Sequence, residues 1–348
     1  MKKTVLTLLL ITFISGFCQA KTIRLGLINP TPRNIETILF LKNNSLITID
    51  SLQIIGVYHE TQTKLIEMTN AFIENNSIKD ISILTIKKLI SIDSLFCKNN
   101  CSSEFKEIFS ITDGLIFLGG ADILPSLYGE KTFLTTELIP NERNWEISFL
   151  FHLLGGSQNK DFIPFIERKT DYLILGICLG MQEMNVACGG TLCQDIPFKI
   201  YKKKTYESIL EQNPENQHKN YQNRINNWDK ENNFLHFHHI EILKNSVLDF
   251  EQIQNPLVTS VHHQSVDKLG KDFQIIATSI DKKVIEAISH SKYKNVYGVQ
   301  FHPEFSILYS QQDFKDSKNN LIKLTGNDRL FHDVFWEDFS NRLINNKK

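Results

Sequence analysis

Five short apolar runs between residues 23 and 177 constrain the fold more than any other feature of this chain. They read IRLGLI (23–28), QIIGVYH (53–59), DISILTI (80–86), GLIFLGG (114–120) and YLILGI (172–177). Four of the five are almost uninterrupted by polar residues, as in strands covered on both faces; a strand with one wet face alternates instead. Polar residues break in at helical spacing over Thr63 to Asn75, Trp145 to Leu154, Met181 to Ala187 and the C-terminal DRLFHDVFWEDFSNRLI. Strands alternating with helices predict an α/β fold, a three-layer sandwich with a mostly parallel central sheet. Four later runs, LVTSVHH (257–263), FQIIATSI (273–280), VIEAISH (284–290) and VYGVQFH (296–302), add strands.

At 348 residues the chain buries a full core as one domain. Its net charge of -1, with 22% charged residues, offers no basic face for nucleic acid or an anionic membrane. From Lys199 to about Asn255 the texture turns Lys/Asn/Gln-rich with little periodicity, which predicts an irregular surface insertion. The N-terminus has Lys2 and Lys3, an apolar run from Val5 to Phe17, then Cys18-Gln19-Ala20. This predicts a cleaved secretory signal over residues 1–20 and a periplasmic or secreted domain over 21–348. The run is shorter than the roughly 20 residues a membrane span needs, and bulky Phe17 disfavours lipidation at Cys18. No insertion into the membrane is expected after cleavage, and a homodimer is compatible with the sequence.

Five cysteines follow the signal: Cys97, Cys101, Cys178, Cys188 and Cys193. An odd number leaves at least one thiol free or pairing between molecules. CKNNC (97–101) has the spacing of a small disulfide loop. Cys178 stands apart, in Gly-Ile-Cys-Leu-Gly between a buried strand and a helix. Flanking glycines in such a turn present the side chain at the strand's carboxyl end, and the helix aims its N-terminal amides at the sulfur, favouring thiolate. On that motif alone a packed thiol is the simpler reading. The strand ending in His302-Pro303-Glu304 changes the balance by offering a general base and a carboxylate to hold it. A third strand stops at Gly119-Gly120, where the backbone is free to approach a ligand and aim an N–H at an oxyanion, with the Leu179 amide as its partner.

In this order, DGLIFLGGADILPSLYGE, LGICLGMQEMNVACGGTLCQDI, VTSVHHQSVDKLG, VIEAI and GVQFHPE resemble the class I glutamine amidotransferase-like superfamily, whose fold is flavodoxin-like. Within it the chain is most similar to the γ-glutamyl hydrolases, especially the bacterial γ-glutamyl-γ-aminobutyrate hydrolases. The resemblance implies Cys178 as nucleophile, His302 as base and Glu304 as its orienting partner, with the amides of Gly120 and Leu179 as oxyanion hole. It implies Gln182 on the glutamyl group, Gly119 beside it, and His262, with His263 the alternative, on the substrate side. Leu179 stands where the aminobutyrate hydrolases commonly carry arginine, and GGAD replaces the usual Gly-Gly-Pro-Asp.

The implied reaction is hydrolysis of a small γ-glutamyl amide or isopeptide through a Cys178 thioester, with no cofactor and no metal. His236 and His238 share one face of a strand in FLHFHHIEIL (234–243), but a metal site needs a third ligand that the sequence does not point to. The competing readings are a glutaminase that feeds ammonia to a synthetase, which export argues against, and a catalytically silent binding protein, which an intact Cys-His-Glu set argues against.

Overall fold

The computed structural model describes residues 22–138, 143–222, 235–250, 253–310, 314–315 and 321–346. Its first half alternates β1 (Ile23–Ile28), α1 (Pro32–Asn43), β2 (Leu52–His59), α2 (Thr63–Asn75), β3 (Ile81–Ile86), α3 (Ser102–Ile111), β4 (Gly114–Phe117), α4 (Asn144–Leu154), β5 (Leu173–Ile177) and α5 (Leu179–Ala187). Then come β6 (Leu192–Cys193), α6 (Ile196–Lys199), α7 (Tyr206–Leu210), β7 (His236–Ile242), β8 (Leu257–Ser260), β9 (Ser265–Val266), β10 (Phe273–Ser279), β11 (Ile285–His290), β12 (Val296–Val299) and α8 (Gly326–Asn345). The main sheet runs β3-β2-β1-β4-β5-β12-β11-β10-β7-β8. Its first six strands are parallel and the rest antiparallel.

Period-two alternation in the parallel strands feeds two separate cores. Leu115, Phe117 and Ile174 face a core completed by Phe105 and Ile108 of α3, Phe149 of α4, and Met181 and Met184 of α5. Ile116, Leu118, Leu173 and Leu175 face the opposite core, filled by Ile35, Ile38 and Leu41 of α1 and by Phe331, Phe335, Trp336 and Phe339 of α8. Both faces are therefore covered, which is why these strands carry almost no polar residues.

One expectation needs correction. The span 199–255 is not irregular throughout: β7 pairs with β10 and β8 inside the main sheet, and α7 carries a Thr205 cap. β7 is the strand read in FLHFHHIEIL, and the sequence did not show that it belongs to the main sheet. Cys97 and Cys101 are free thiols; Cys97 donates to the Ser94 carbonyl and Cys101 to the Lys88 carbonyl at 2.8 Å. The proposed signal at 1–20 lies outside the described residues. Among the described residues, no helix is long and apolar enough to cross a membrane.

Candidate active site

β4, β5 and β12 are neighbours in the sheet, so the loops leaving their carboxyl ends lie side by side. Ligands of open α/β sheets bind in this place. From β5 the chain turns at Cys178, the residue before α5, with φ 55° and ψ −106°. The Cys178 amide still donates to the Val299 carbonyl of β12 at 2.8 Å, and its carbonyl accepts from Gln182 as α5 begins. The strained conformation thus falls on the cysteine itself. Gly180 serves close approach rather than left-handed backbone: a Cβ there would lie 2.1 Å from the Phe117 carbonyl oxygen.

His302 follows β12 and is pinned by its amide to the Thr259 carbonyl, 2.9 Å, and by its carbonyl to the Thr259 hydroxyl. Its Nδ1 lies 2.7 Å from Glu304 Oε1, and Phe305 stacks on the ring with centroids 4.7 Å apart. The ring lies beside Cys178, close enough for the sulfur to act on its charge. Burial alone would lower the imidazole's pKa, but the Glu304 carboxylate and the Cys178 sulfur outweigh it and hold His302 at about 10. The arrangement therefore favours imidazolium next to the sulfur at neutral pH.

The Gly119-Gly120 turn closes over this pair. A Cβ at Gly119 would lie 3.1 Å from His302 Cε1 and 3.6 Å from Cys178 Cβ, and one at Gly120 would meet Arg143 and the Leu179 side chain. Arg143, immediately before α4, was not singled out by the sequence. Its guanidinium forms a two-pronged pair with Glu146, Nε to Oε1 at 2.7 Å and Nη2 to Oε2 at 2.8 Å, while Nη1 reaches toward the Gly119 carbonyl at 3.5 Å. Asn29, after β1, donates to the same Glu146 at 3.0 Å. Burial works against the Arg143 charge, but Glu146 and Glu183 raise its pKa. Glu183 on α5 is pushed well above the carboxylate range by burial and by Glu146, against the pull of Arg143.

The residues expected on the substrate side divide. Gln182 is buried beneath the sulfur; its amide donates to Gln300 Oε1 at 3.1 Å and to the Gln264 carbonyl, and Gln300 in turn donates to Cys178 Sγ at 3.7 Å. His262, preferred over His263 from sequence, is turned inward by a 2.8 Å bond between its Nδ1 and the Gln264 carbonyl. His263 instead hydrogen-bonds Asp122 and lines a cavity of about 790 Å³ between the Thr132–Glu137 loop and the Lys203–Tyr206 and Lys219–Tyr221 segments. A narrower cleft of about 100 Å³, walled by Ala121–Leu124, Arg143 and Leu179, adjoins the elbow. Asp122 lines this cleft and bonds His263 in the wall of the larger cavity. Inward, His262 meets His218, His238 and Glu286, a group the sequence did not assemble; His236 faces away, to the Pro214 carbonyl.

The peptidase C26 family model matches residues 53–304, most of the chain. The chain belongs to the peptidase C26 family. Its members are cysteine-peptidase-like proteins of glutamine amidotransferase fold, in keeping with the parallel sheet and covering helices found here. The chain is 32% identical over 225 residues to the glutamine amidotransferase-like protein RP404 of Rickettsia prowazekii, covering 59% of this chain and 74% of the relative. It is 31% identical over 206 residues to the glutamine amidotransferase-like protein YvdE of Lactococcus lactis, covering 58% and 70%. A glutamine-hydrolysing GMP synthase subunit of Methanosphaera stadtmanae is 46% identical over 185 residues, covering 49% and 76%. The matched segment of this C26 protein contains Cys178, His302 and Glu304, and also Arg143, Gln300 and Glu286. The last three went unassigned in the sequence: Gln300 and Glu286 have partners far away along the chain, and Arg143, though paired with nearby Glu146, reaches the distant Gly119 turn.

Proposed function

We propose that the protein hydrolyses a γ-glutamyl amide or isopeptide bond, with Cys178 as nucleophile. One observation carries the reading: a cysteine held in a sharp turn before a helix contacts a histidine whose other nitrogen is locked 2.7 Å from a buried glutamate. A thiolate formed there has a proton partner already oriented. It attacks the γ-carbonyl, and the backbone amides of Gly120 and Leu179 receive the negative charge that develops on oxygen. His302 protonates the departing amine, leaving a glutamyl thioester on Cys178. A water molecule, giving its proton to the now neutral His302, attacks that thioester and releases glutamate and the thiol.

Arg143 is the positioning residue for the oxyanion turn in this reading. Its guanidinium covers Gly120 and reaches the Gly119 carbonyl, so the turn is braced from α4. The cation absent at position 179 is supplied here from another element. The larger cavity, with Lys203, Lys204 and Lys219 in its wall, has room for the remainder of the substrate. Aminobutyrate, a polyamine, a γ-linked peptide and polyglutamate all suit that space as leaving groups.

The similarity to glutamine-hydrolysing GMP synthase subunits favours a second reading, a glutaminase that passes ammonia to a synthetase. Export, which we also propose on the N-terminal pattern, would separate it from that partner. A panel of γ-glutamyl amides alongside glutamine, with glutamate and ammonia measured separately, distinguishes the two. The hydrolase reading expects at least about tenfold higher kcat/KM on an amide or isopeptide than on glutamine, with no turnover by Cys178→Ala. Preference for glutamine, with intact protein in the cytosolic fraction and an uncleaved N-terminus, would sink it.

A further inference from the structure

We infer that His218, His238, His262 and Glu286 form a closed binding site for one divalent transition-metal ion, best suited to zinc, that fastens the 199–222 segment and the His262–Gln264 loop to the antiparallel end of the sheet. The four side chains come from four places: the loop after α7, β7, the loop after β8, and β11. Each contributes one ligand atom, and these atoms lie within 4.8 Å of one another. Glu286 Oε1 is 3.1 Å from His218 Nδ1 and 3.7 Å from His238 Nε2, and Oε2 is 3.7 Å from His262 Nε2.

What points to an ion is the lack of well-formed hydrogen bonds. His218 Nδ1, both nitrogens of His238, His262 Nε2 and both oxygens of Glu286 are buried without one. Buried polar groups are hydrogen-bonded in the great majority of cases, and here six atoms in one cluster have only each other, at ion-pair range without hydrogen-bond geometry. Pairing of one imidazolium with Glu286, the alternative without an ion, leaves both His238 nitrogens unanswered. An ion at the centre uses one lone pair from each of the four groups. Three imidazoles and a carboxylate are a zinc donor set, and four protein ligands fill a tetrahedral shell, as in structural rather than catalytic sites.

Supporting contacts are in place as well. The bond from His262 Nδ1 to the Gln264 carbonyl fixes the tautomer that leaves Nε2 bare. Tyr201 stacks on His218 and its hydroxyl lies 3.4 Å from Nε2, leaving Nδ1 for the centre. His218 itself sits at φ 56°, and its carbonyl is held by the His262 amide and the Ser260 hydroxyl. A left-handed residue whose ring turns into the interior from an otherwise polar segment is the sort of strain that surrounding structure must impose. Tetrahedral zinc needs ligand atoms about 3.3 Å apart, so the widest pair closes by about 1.5 Å on loading.

The test uses the purified wild-type protein, stripped with a chelator and titrated with Zn²⁺ alone. One equivalent per chain is expected by mass spectrometric metal analysis, with a rise in Tm of about 5 °C or more. Co²⁺ in its place is expected to give the visible bands of a four-coordinate ion without a thiolate charge-transfer band, which separates this site from one built on the cysteine thiols. His238→Gln and Glu286→Gln should each remove the stoichiometric uptake and the Tm rise. Uptake below about a tenth of an equivalent by the wild type at saturating Zn²⁺ and Co²⁺, with Tm unmoved, overturns the site whether or not the variants fold. A thiolate band, or uptake undiminished in both variants, also overturns it by placing the ion elsewhere. None of these readouts involves substrate, so the outcome is independent of the role of Cys178.

Discussion

Cys178 pays for its exposure to substrate with backbone strain. A non-glycine residue at φ 55° and ψ −106° lies outside the favoured regions and costs on the order of 1–3 kcal/mol. Glycine adopts that conformation freely, although it loses more entropy on folding. Cys178→Gly is therefore expected to raise stability by about 1 kcal/mol in urea unfolding while lowering turnover at least about 1,000-fold. A variant as active as the wild type, or one clearly less stable, would contradict this account. The neighbouring His302 carries a pH dependence. Its folded pKa, about 10, lies above the ordinary 6.5, so protonation of His302 stabilises the folded protein. That contribution is complete below about pH 6.5 and is lost as pH rises through about 10. Glu304→Gln removes the main charge that raises it, and burial then draws the pKa down. The alkaline limb of kcat/KM should move at least about one pH unit lower in this variant, with kcat reduced about 100-fold or more.

At the scale of the element, the end of β1, the start of α4 and the middle of α5 are joined by one charged group. Glu146 accepts from Asn29 and Arg143, and Glu183 lies close by; both glutamates are buried. Arg143→Met leaves Glu146 without its counter-charge and should cost about 3–5 kcal/mol in chemical denaturation. Arg143→Lys should recover only part of this, since an ammonium cannot reproduce the two-pronged contact. A loss under 1 kcal/mol for the methionine variant would mean that the ion pair contributes little. Legibility from sequence divides along the same lines. Thr63–Asn75 was readable to the residue because α2 has a clean apolar stripe, and β1 because it is bounded by polar residues. α1 and α3 were missed although both are well formed: α1 depends on a Thr31–Asn34 capping box and Pro32, which are short local signals without a long apolar period. Strands β4, β8 and β12 were read too long, to residues 120, 263 and 302, because their apolar character continues past the last ladder pair. In each case the surplus is the segment that bends away to form the Gly119 turn, the His262–Gln264 loop or the His302 turn. The motifs at Cys178, His302 and Gly119-Gly120 were visible because each is contiguous. Gln300, His218 and Glu286 were not, because their partners are brought to them by the fold, and Arg143 was not, because its local pair with Glu146 does not reveal the Gly119 turn it reaches.

Over the whole molecule, the C-terminal helix connects the packing of the second core to the site on the far side of the chain. α8 begins at a Thr325–Asp328 capping box and buries Phe331, Phe335, Trp336, Phe339 and Leu343. Trp336 also carries a polar duty: its indole N–H donates to the Tyr309 hydroxyl at 2.8 Å and toward the Pro303 carbonyl at 3.2 Å, and Tyr309 donates to that same carbonyl at 2.6 Å. Pro303 lies between His302 and Glu304, so the turn that aligns imidazole and carboxylate is fastened from behind by the last helix. Trp336→Phe keeps most of the apolar volume and removes the donor. It should cost about 1–3 kcal/mol through the lost hydrogen bonds and the smaller ring. If the fastening reaches the site, kcat should fall about tenfold with little change in KM, because alignment of His302 serves the transition state more than ground-state binding. Tyr309→Phe, which removes the second donor to Pro303, should act in the same direction, and the double variant should show less than the sum of the two because they share one acceptor. Stability losses with kcat unchanged in both single variants would confine α8 to closing the core.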